Sequence, residues 1–280
     1  MAVAVAVTVT TLAAWPSGVA APAPPLVDYL PIATTLIAAA FAVVLWARWR
    51  ERRTGPHLLW WAFGVLVYGA GTVTEASTTL FGWHEGLFRA WYVSGALMGG
   101  APLAQGTAYL LLERRTAHRL AAALVTTIAV ASLFALLAPV NYALVEPYRL
   151  TGHVFRWPWV RAFSPFINTY ALILLVGGAA LSAWRFRRKT ATCSRFVGNV
   201  LIAVGALLPG IGGTATRFGH TEVLYVTELI CLSMIYVGYR YNIAGRPTGV
   251  APPGEADGAK RERWAAQQAR EDPERESVRG

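Results

Sequence analysis

Seven continuous apolar runs, each about 20 residues or longer, dominate this chain and restrict what it can fold into. They cover approximately residues 28–48, 57–80, 86–112, 118–140, 164–186, 195–216 and 220–241. A helix rises about 1.5 Å per residue, so each run is long enough to cross roughly 30 Å of hydrocarbon. A membrane barrel would need alternating strands of about ten residues, and these runs do not alternate. The expected fold is therefore all-α: a polytopic integral membrane protein, a seven-transmembrane-helix bundle whose first partner is the lipid bilayer.

Charge distribution supports this. Only 14% of the residues are charged, against about 25% in a typical soluble domain. The segment 244–280 alone holds 14 of the 40 charged side chains. The net charge of +10 does not point to nucleic acid. The segment 244–280 has equal numbers of acidic and basic groups, and the remaining excess lies in short loops beside apolar runs. With seven spans, the loops containing Arg48–Arg53, Arg114–Arg119 and Arg185–Arg195, together with Arg240, fall on one side. They hold thirteen basic residues. The opposite side holds five: Arg89, Arg149, Arg156, Arg161 and Arg217. The positive-inside rule then predicts N-out/C-in, in a bacterial-type plasma membrane.

Three regions are expected. Residues 1–24 form a signal-like or disordered N-terminus, with an apolar stretch too short to span and no basic residue before it. Residues 25–243 form the seven-helix domain. Residues 244–280 form a charged cytoplasmic tail, rich in Pro and Gly at first and without an apolar stripe, that is expected to be disordered and too short for a catalytic domain. The outer loop 141–163 reads as an interfacial segment, or alternatively as a lid over an outer cavity; Trp157 and Trp159 flank its Pro158. Cys193 and Cys231 are expected at different depths, as free thiols.

Small and polar residues in spans should face the bundle. Gly64, Tyr68, Gly71, Glu75 and Thr79 share one helical face of the second run. The same holds for Arg89, Tyr92, Gly95, Gly99, Pro102, Gly106 and Tyr109 in the third, and for Ser164, Asn168, Ala171, Gly178 and Ser182 in the fifth. The sixth has Gly198, Gly205, Pro209, Gly212 and Thr216; the seventh has Thr221, Tyr225, Glu228 and Cys231. The fourth run has no such stripe and is expected at the periphery. Pro209 and Pro102 are expected to kink or break their helices.

Glu75 and Glu228 are intramembrane carboxylates, and both fall in the outer half. Arg89 enters from the same side. Such groups cost several kcal/mol unless paired. Arg89 is therefore expected to neutralise one carboxylate and the other to be protonated. The cluster is either a structural clamp or a ligand or proton site, formed by Glu75, Arg89, Tyr92, Asn168, Tyr225 and Glu228. No lysine lies in any run, the five histidines sit at run ends or in loops, and no metalloprotease, phosphate-loop or nucleophile-elbow motif occurs. No catalytic residue, metal or cofactor is expected.

The last two runs carry a further pattern. Arg195-Phe196-Val197-Gly198-Asn199 leads into Ala206-Leu207-Leu208-Pro209-Gly210, and the final run closes with Tyr236-Val237-Gly238-Tyr239-Arg240-Tyr241-Asn242. This resembles the seven-helix sensor region found at the N-termini of some bacterial histidine kinases. The resemblance implies a sensor or receptor-like module without a catalytic domain of its own, acting on a cytoplasmic signalling partner. A small secondary transporter using the same polar cluster is the alternative.

Overall fold

The computed structural model describes residues 23–52, 55–186 and 193–244. Nearly all of the expected leader, and the tail beyond Ala244, lie outside the described residues.

The described chain is helical apart from one antiparallel bridge, Val140 with Phe155. The helices are α1 Leu30–Arg52, α2 Pro56–Phe81, α3 Glu85–Trp91, α4 Ala101–Leu111, α5 Arg114–Leu137, α6 Phe163–Phe186, α7 Cys193–Arg217 and α8 Thr221–Ala244. Five helical stretches are long and apolar enough to cross a membrane: Leu26–Glu51, Arg114–Leu137, Pro158–Arg185, Cys193–Arg217 and Thr221–Ala244. Two of the seven apolar runs are not among them. Helix α2 has the length, at 26 residues, but buries four threonines, a glutamate and three glycines. The third run is not one helix.

That third run corrects the expectation of a continuous span. Helix α3 passes into a π segment, Tyr92–Leu97, then a turn, and restarts as α4. Gly95, Gly99 and Gly100 weaken helix propensity there. Pro102 has no N–H, and its ring would meet the carbonyl four residues back. In the first turn of a new helix neither defect matters, and that is where Pro102 sits. Pro209, by contrast, does not break its helix. Helix α7 runs unbroken from Cys193 to Arg217 with Pro209 inside it.

Helices α1 and α2 lie along each other, α2 packs on α4, α4 on α6 and α6 on α7. Helix α8 closes the ring. It meets α7 at glycines: a Cβ on Gly198 would stand 2.6 Å from the Gly238 oxygen, and one on Gly205 3.1 Å from the Cys231 oxygen. Lipid tails are as apolar as leucine, so close backbone approach is what holds such helices together. On its other side α8 packs Tyr236 and Tyr239 against Phe41 of α1. Helix α5 is peripheral, as its composition suggests. It buries only a narrow strip of Ala117, Ala121, Leu124, Ala131 and Ala135, and exposes Val125, Val130, Leu133, Leu136 and Leu137.

Segment 138–162 folds back over one end of the bundle. It contains three single 3-10 turns and buries Leu150, Val154, Phe155 and Val160 against Phe88, Trp91 and Tyr92. Trp157 and Trp159 stack on each other at 5.9 Å and stay half-exposed.

Candidate functional site

The polar centre begins with a close approach of two glycines. A Cβ on Gly71 would lie 3.0 Å from the Gly95 Cα, so α2 and the π segment touch backbone to backbone. One turn along, this contact sets Glu75 beside Trp91, whose indole Nε1 donates to Glu75 Oε1 at 2.7 Å. Glu75 is almost fully buried. Its carboxyl lies within electrostatic reach of the carboxyl of Glu228 on α8. A proton on one of the two groups would let it donate to the other, because an ionised carboxylate can only accept. Among the described residues no hydrogen-bond donor reaches the buried Oε2 of either glutamate. Tyr68 of α2 donates to the Glu228 main-chain oxygen at 3.3 Å. Tyr225, one turn before Glu228, is buried to 1% exposure with no hydrogen-bond partner for its hydroxyl among the described residues.

The structure therefore brings together Glu75, Glu228 and Tyr225, as expected from their faces, but not Arg89. Arg89 belongs to a different cluster. Its Nε donates to Glu85 Oε1 at 2.8 Å, and Nη2 lies 2.6 Å from the same oxygen. Nη1 donates to the carbonyls of Ala135 and Leu136 at 2.7 and 2.8 Å, and Nη2 to Ala138 at 3.0 Å. A helix leaves its last carbonyls without internal partners and carries negative partial charge there. Arg89 serves the end of α5. Glu85 also accepts from the Tyr142 hydroxyl at 2.5 Å. That bond, with the guanidinium beside it, holds the Glu85 carboxyl below the usual carboxylate range.

Tyr92 and Asn168 lie apart from the carboxyl pair, on the wall of a cavity it adjoins. The cavity has a volume of about 1100 Å³. Tyr68, Trp91, Gly95, Glu228, Cys231 and Leu232 line its inner part, and Gly152, His153, Arg161 and Arg217 line one end. Tyr92 faces it while donating to the Val160 carbonyl at 3.3 Å. Asn168 and Ser164 of α6 both donate to the Ala96 carbonyl, at 3.2 and 2.9 Å, in the interrupted third run. On α7, Gly210 and Gly213 line the cavity with open space where a side chain would stand. The loop 141–163 is thus more than an interfacial strand. It contributes one end of the cavity wall.

One polar centre, Asp28 with Arg149, was not singled out from sequence, and a second forms at Gln105, which lies alongside the inward face of the third run. Arg149 in the loop pairs with Asp28 at 3.2 Å and Glu222 at 3.4 Å, and Asp28 is buried to 1% exposure. Thr79 donates to the Asp28 carbonyl at 2.8 Å. This network ties the segment before α1 to α2, the loop and α8. Gln105, fully buried, donates to the Ala117 carbonyl and accepts from Tyr170, joining α4 to α5 and α6. For Asp28 the signal in sequence was a lone acid opening an apolar run.

Among the described residues no group of three or more His, Cys, Asp or Glu could hold a metal ion. No known family model, curated protein or solved structure matches this chain.

Proposed function

We propose that this chain is a seven-span, receptor-like membrane module, oriented N-out/C-in in a bacterial-type plasma membrane. A ligand or stimulus would act in the outer half, in the cavity between α4, α6, α7 and α8. The observation that carries this is the cavity itself. Its roughly 1100 Å³ is slightly above the usual span of ligand pockets, about 300–1,000 Å³. It is mostly apolar with a few polar groups, and it reaches a buried carboxyl pair.

The seven-span count rests on α2, and on α3 with α4 as one interrupted crossing, added to the five long apolar helices. The orientation rests on thirteen basic residues at one set of loops against five at the other. The motifs around Arg195–Gly210 and Tyr236–Asn242 resemble the sensor region of bacterial histidine kinases and favour a signalling role, with a cytoplasmic signalling partner.

A cytoplasmic reporter fused after Asn242 should be active, and a periplasmic one silent; the reverse would overturn the topology. A thermal-shift screen of the purified protein against small molecules should find ligands whose stabilisation is lost when Ala206 or Gly210 is replaced by Phe. Stabilisation untouched by both substitutions would place binding elsewhere and refute the cavity as the site.

Proton-coupled transport is the second reading. It is favoured by the carboxyl pair, in which a proton on one group would bond to the other and which touches the cavity through Glu228. Proteoliposomes with a pH gradient separate the two. Flux abolished by Glu228→Gln at unchanged stability supports transport. Ligand-dependent stabilisation without flux supports sensing.

A further inference from the structure

Each of the helices α6, α7 and α8 gives the cavity a stretch of the same length. The stretches run from Ser164 to Leu175, from Ala206 to Arg217 and from Leu224 to Ile235. Eleven residue steps at about 1.5 Å make the cavity about 16 Å deep, half of a roughly 30 Å hydrocarbon layer. Its wall is unevenly built. Along the shaft stand Leu172, Leu175, Leu207, Ile211, Leu232 and Ile235. Arg161 and Arg217 lie at one end, with His153 between them and close to both. Arg161 Nη2 is 3.3 Å from His153 Nε2, and the His153 ring lies near the Arg217 main chain.

The arginines at this end are not alike. Arg89 is held by Glu85 and three carbonyls, and Arg149 by Asp28 and Glu222. Arg161 and Arg217, the two that line the cavity, have no carboxylate partner among the described residues. Arg156 also has none, but it is not in the lining. Both cavity arginines are within electrostatic reach of the Tyr92 phenol, so their charges converge on one place. Glu146 is within electrostatic reach of His153 but pairs with neither arginine, so two cations without a direct ion pair stand at the mouth of an apolar shaft, a complementary surface for a molecule with a charged head and an apolar body. A guanidinium matches carboxylate and phosphate oxygens with paired donors.

We propose that the cavity binds an anionic amphiphile. Its carboxylate or phosphate head lies between Arg161 and Arg217, and an apolar chain runs down the shaft toward Leu232 and Ile235. The inference rests on the receptor-like reading and names the chemistry of its ligand. The amphiphile could come from the surrounding bilayer or from outside the cell; both sources present the same head and chain.

The full-length protein in maltoside detergent is titrated by calorimetry with dodecanoate, with dodecanol and with inorganic phosphate. Dodecanoate is expected to bind one per chain. Dodecanol, with the chain but no charge, should bind at least about tenfold more weakly, and phosphate alone should not bind. Arg161→Gln with Arg217→Gln should cost dodecanoate about tenfold or more and leave dodecanol unchanged. Arg161→Lys should recover part of the loss and shows that the fold tolerates change there. Native mass spectrometry from nanodiscs distinguishes the sources: retained phosphatidylglycerol that is lost in the double variant and displaced by dodecanoate identifies a bilayer lipid. Dodecanoate binding without retained lipid identifies a free amphiphile.

Equal binding of dodecanoate and dodecanol, or a double variant that binds dodecanoate as well as the wild type, overturns the head-group assignment. In either case the ligand-receiving cavity still stands. Binding of neither alkyl probe overturns the amphiphile, and the screen of cavity-blocking variants then decides the receptor-like reading separately.

Discussion

Replacing Arg89 by alanine tests how the loop-covered end of the bundle is held. The truncation removes three charge-assisted bonds to the carbonyls of Ala135, Leu136 and Ala138. Each is worth about 1 kcal/mol net, since water can reach part of this site. The ion pair with Glu85 adds under about 1 kcal/mol, because both side chains are partly exposed. The expected loss is therefore about 3–4 kcal/mol, read from reversible unfolding in mixed micelles. A double-mutant cycle makes the test specific. Arg89→Ala and Glu75→Gln touch separate clusters and should add to within about 0.5 kcal/mol. Arg89→Ala and Glu85→Gln share an ion pair and should not add. A loss under about 1 kcal/mol would refute the capping role. Coupling of Arg89 to Glu75 above about 1 kcal/mol would restore the direct pairing that their shared polar faces suggest.

Trp91→Phe keeps the ring in its aromatic cluster but removes the only N–H among the described residues that reaches the Glu75 carboxyl, so stability should fall by about 1–3 kcal/mol; no change would mean another donor takes its place. Gly198→Ala should cost about 1–3 kcal/mol by pushing α8 away, whereas Gly213→Ala, which meets open space, should be neutral or slightly stabilising. The same unfolding measurement checks both, and equal effects would refute the glycine-mediated α7–α8 contact. Burial and the charge of Arg161 push the His153 imidazole below its ordinary range. A folded state that resists protonation keeps its full stability above about pH 6.5 and loses some as pH falls below that. His153→Gln should flatten this slope in melting temperature between pH 7 and 5. For Glu85, held low by Tyr142 and Arg89, the benefit is present above about pH 4.3 and lost as pH falls through its folded value. Tyr142→Phe should therefore reduce acid sensitivity in that lower window.

Much of the fold was legible in the chain because bilayer-length apolar runs leave few alternatives. A helix satisfies its own backbone within each run, so length and composition are enough to find it. The inward faces were also readable. Glu75, Tyr68 and Gly71 recur at helical spacing, and all three are buried in α2. The weak stripe of α5 matched its peripheral place. Helix continuity was harder to read, because it depends on where a proline falls relative to a possible restart. Pro102 follows glycines that permit a new first turn, while Pro209 sits mid-helix, and α7 carries the defect without breaking.

Partner choice was beyond the sequence. Arg89, Glu75 and Glu228 share depth and polarity, and spacing along a helix cannot say which neighbouring element is in reach. The end of α5 presents unpaired carbonyls to Arg89, and Glu85 lies one turn away, so the arginine is taken before it meets the deeper carboxyls. Asp28 and Arg149 are 121 positions apart and meet only because the loop folds back over the bundle. The cavity is likewise a product of three-dimensional spacing: 12-residue stretches of α6, α7 and α8 line it where the loop covers the bundle end. Periodicity along each helix determined which residues face inward. Only the packing of helices from distant parts of the chain decided what each inward residue faces.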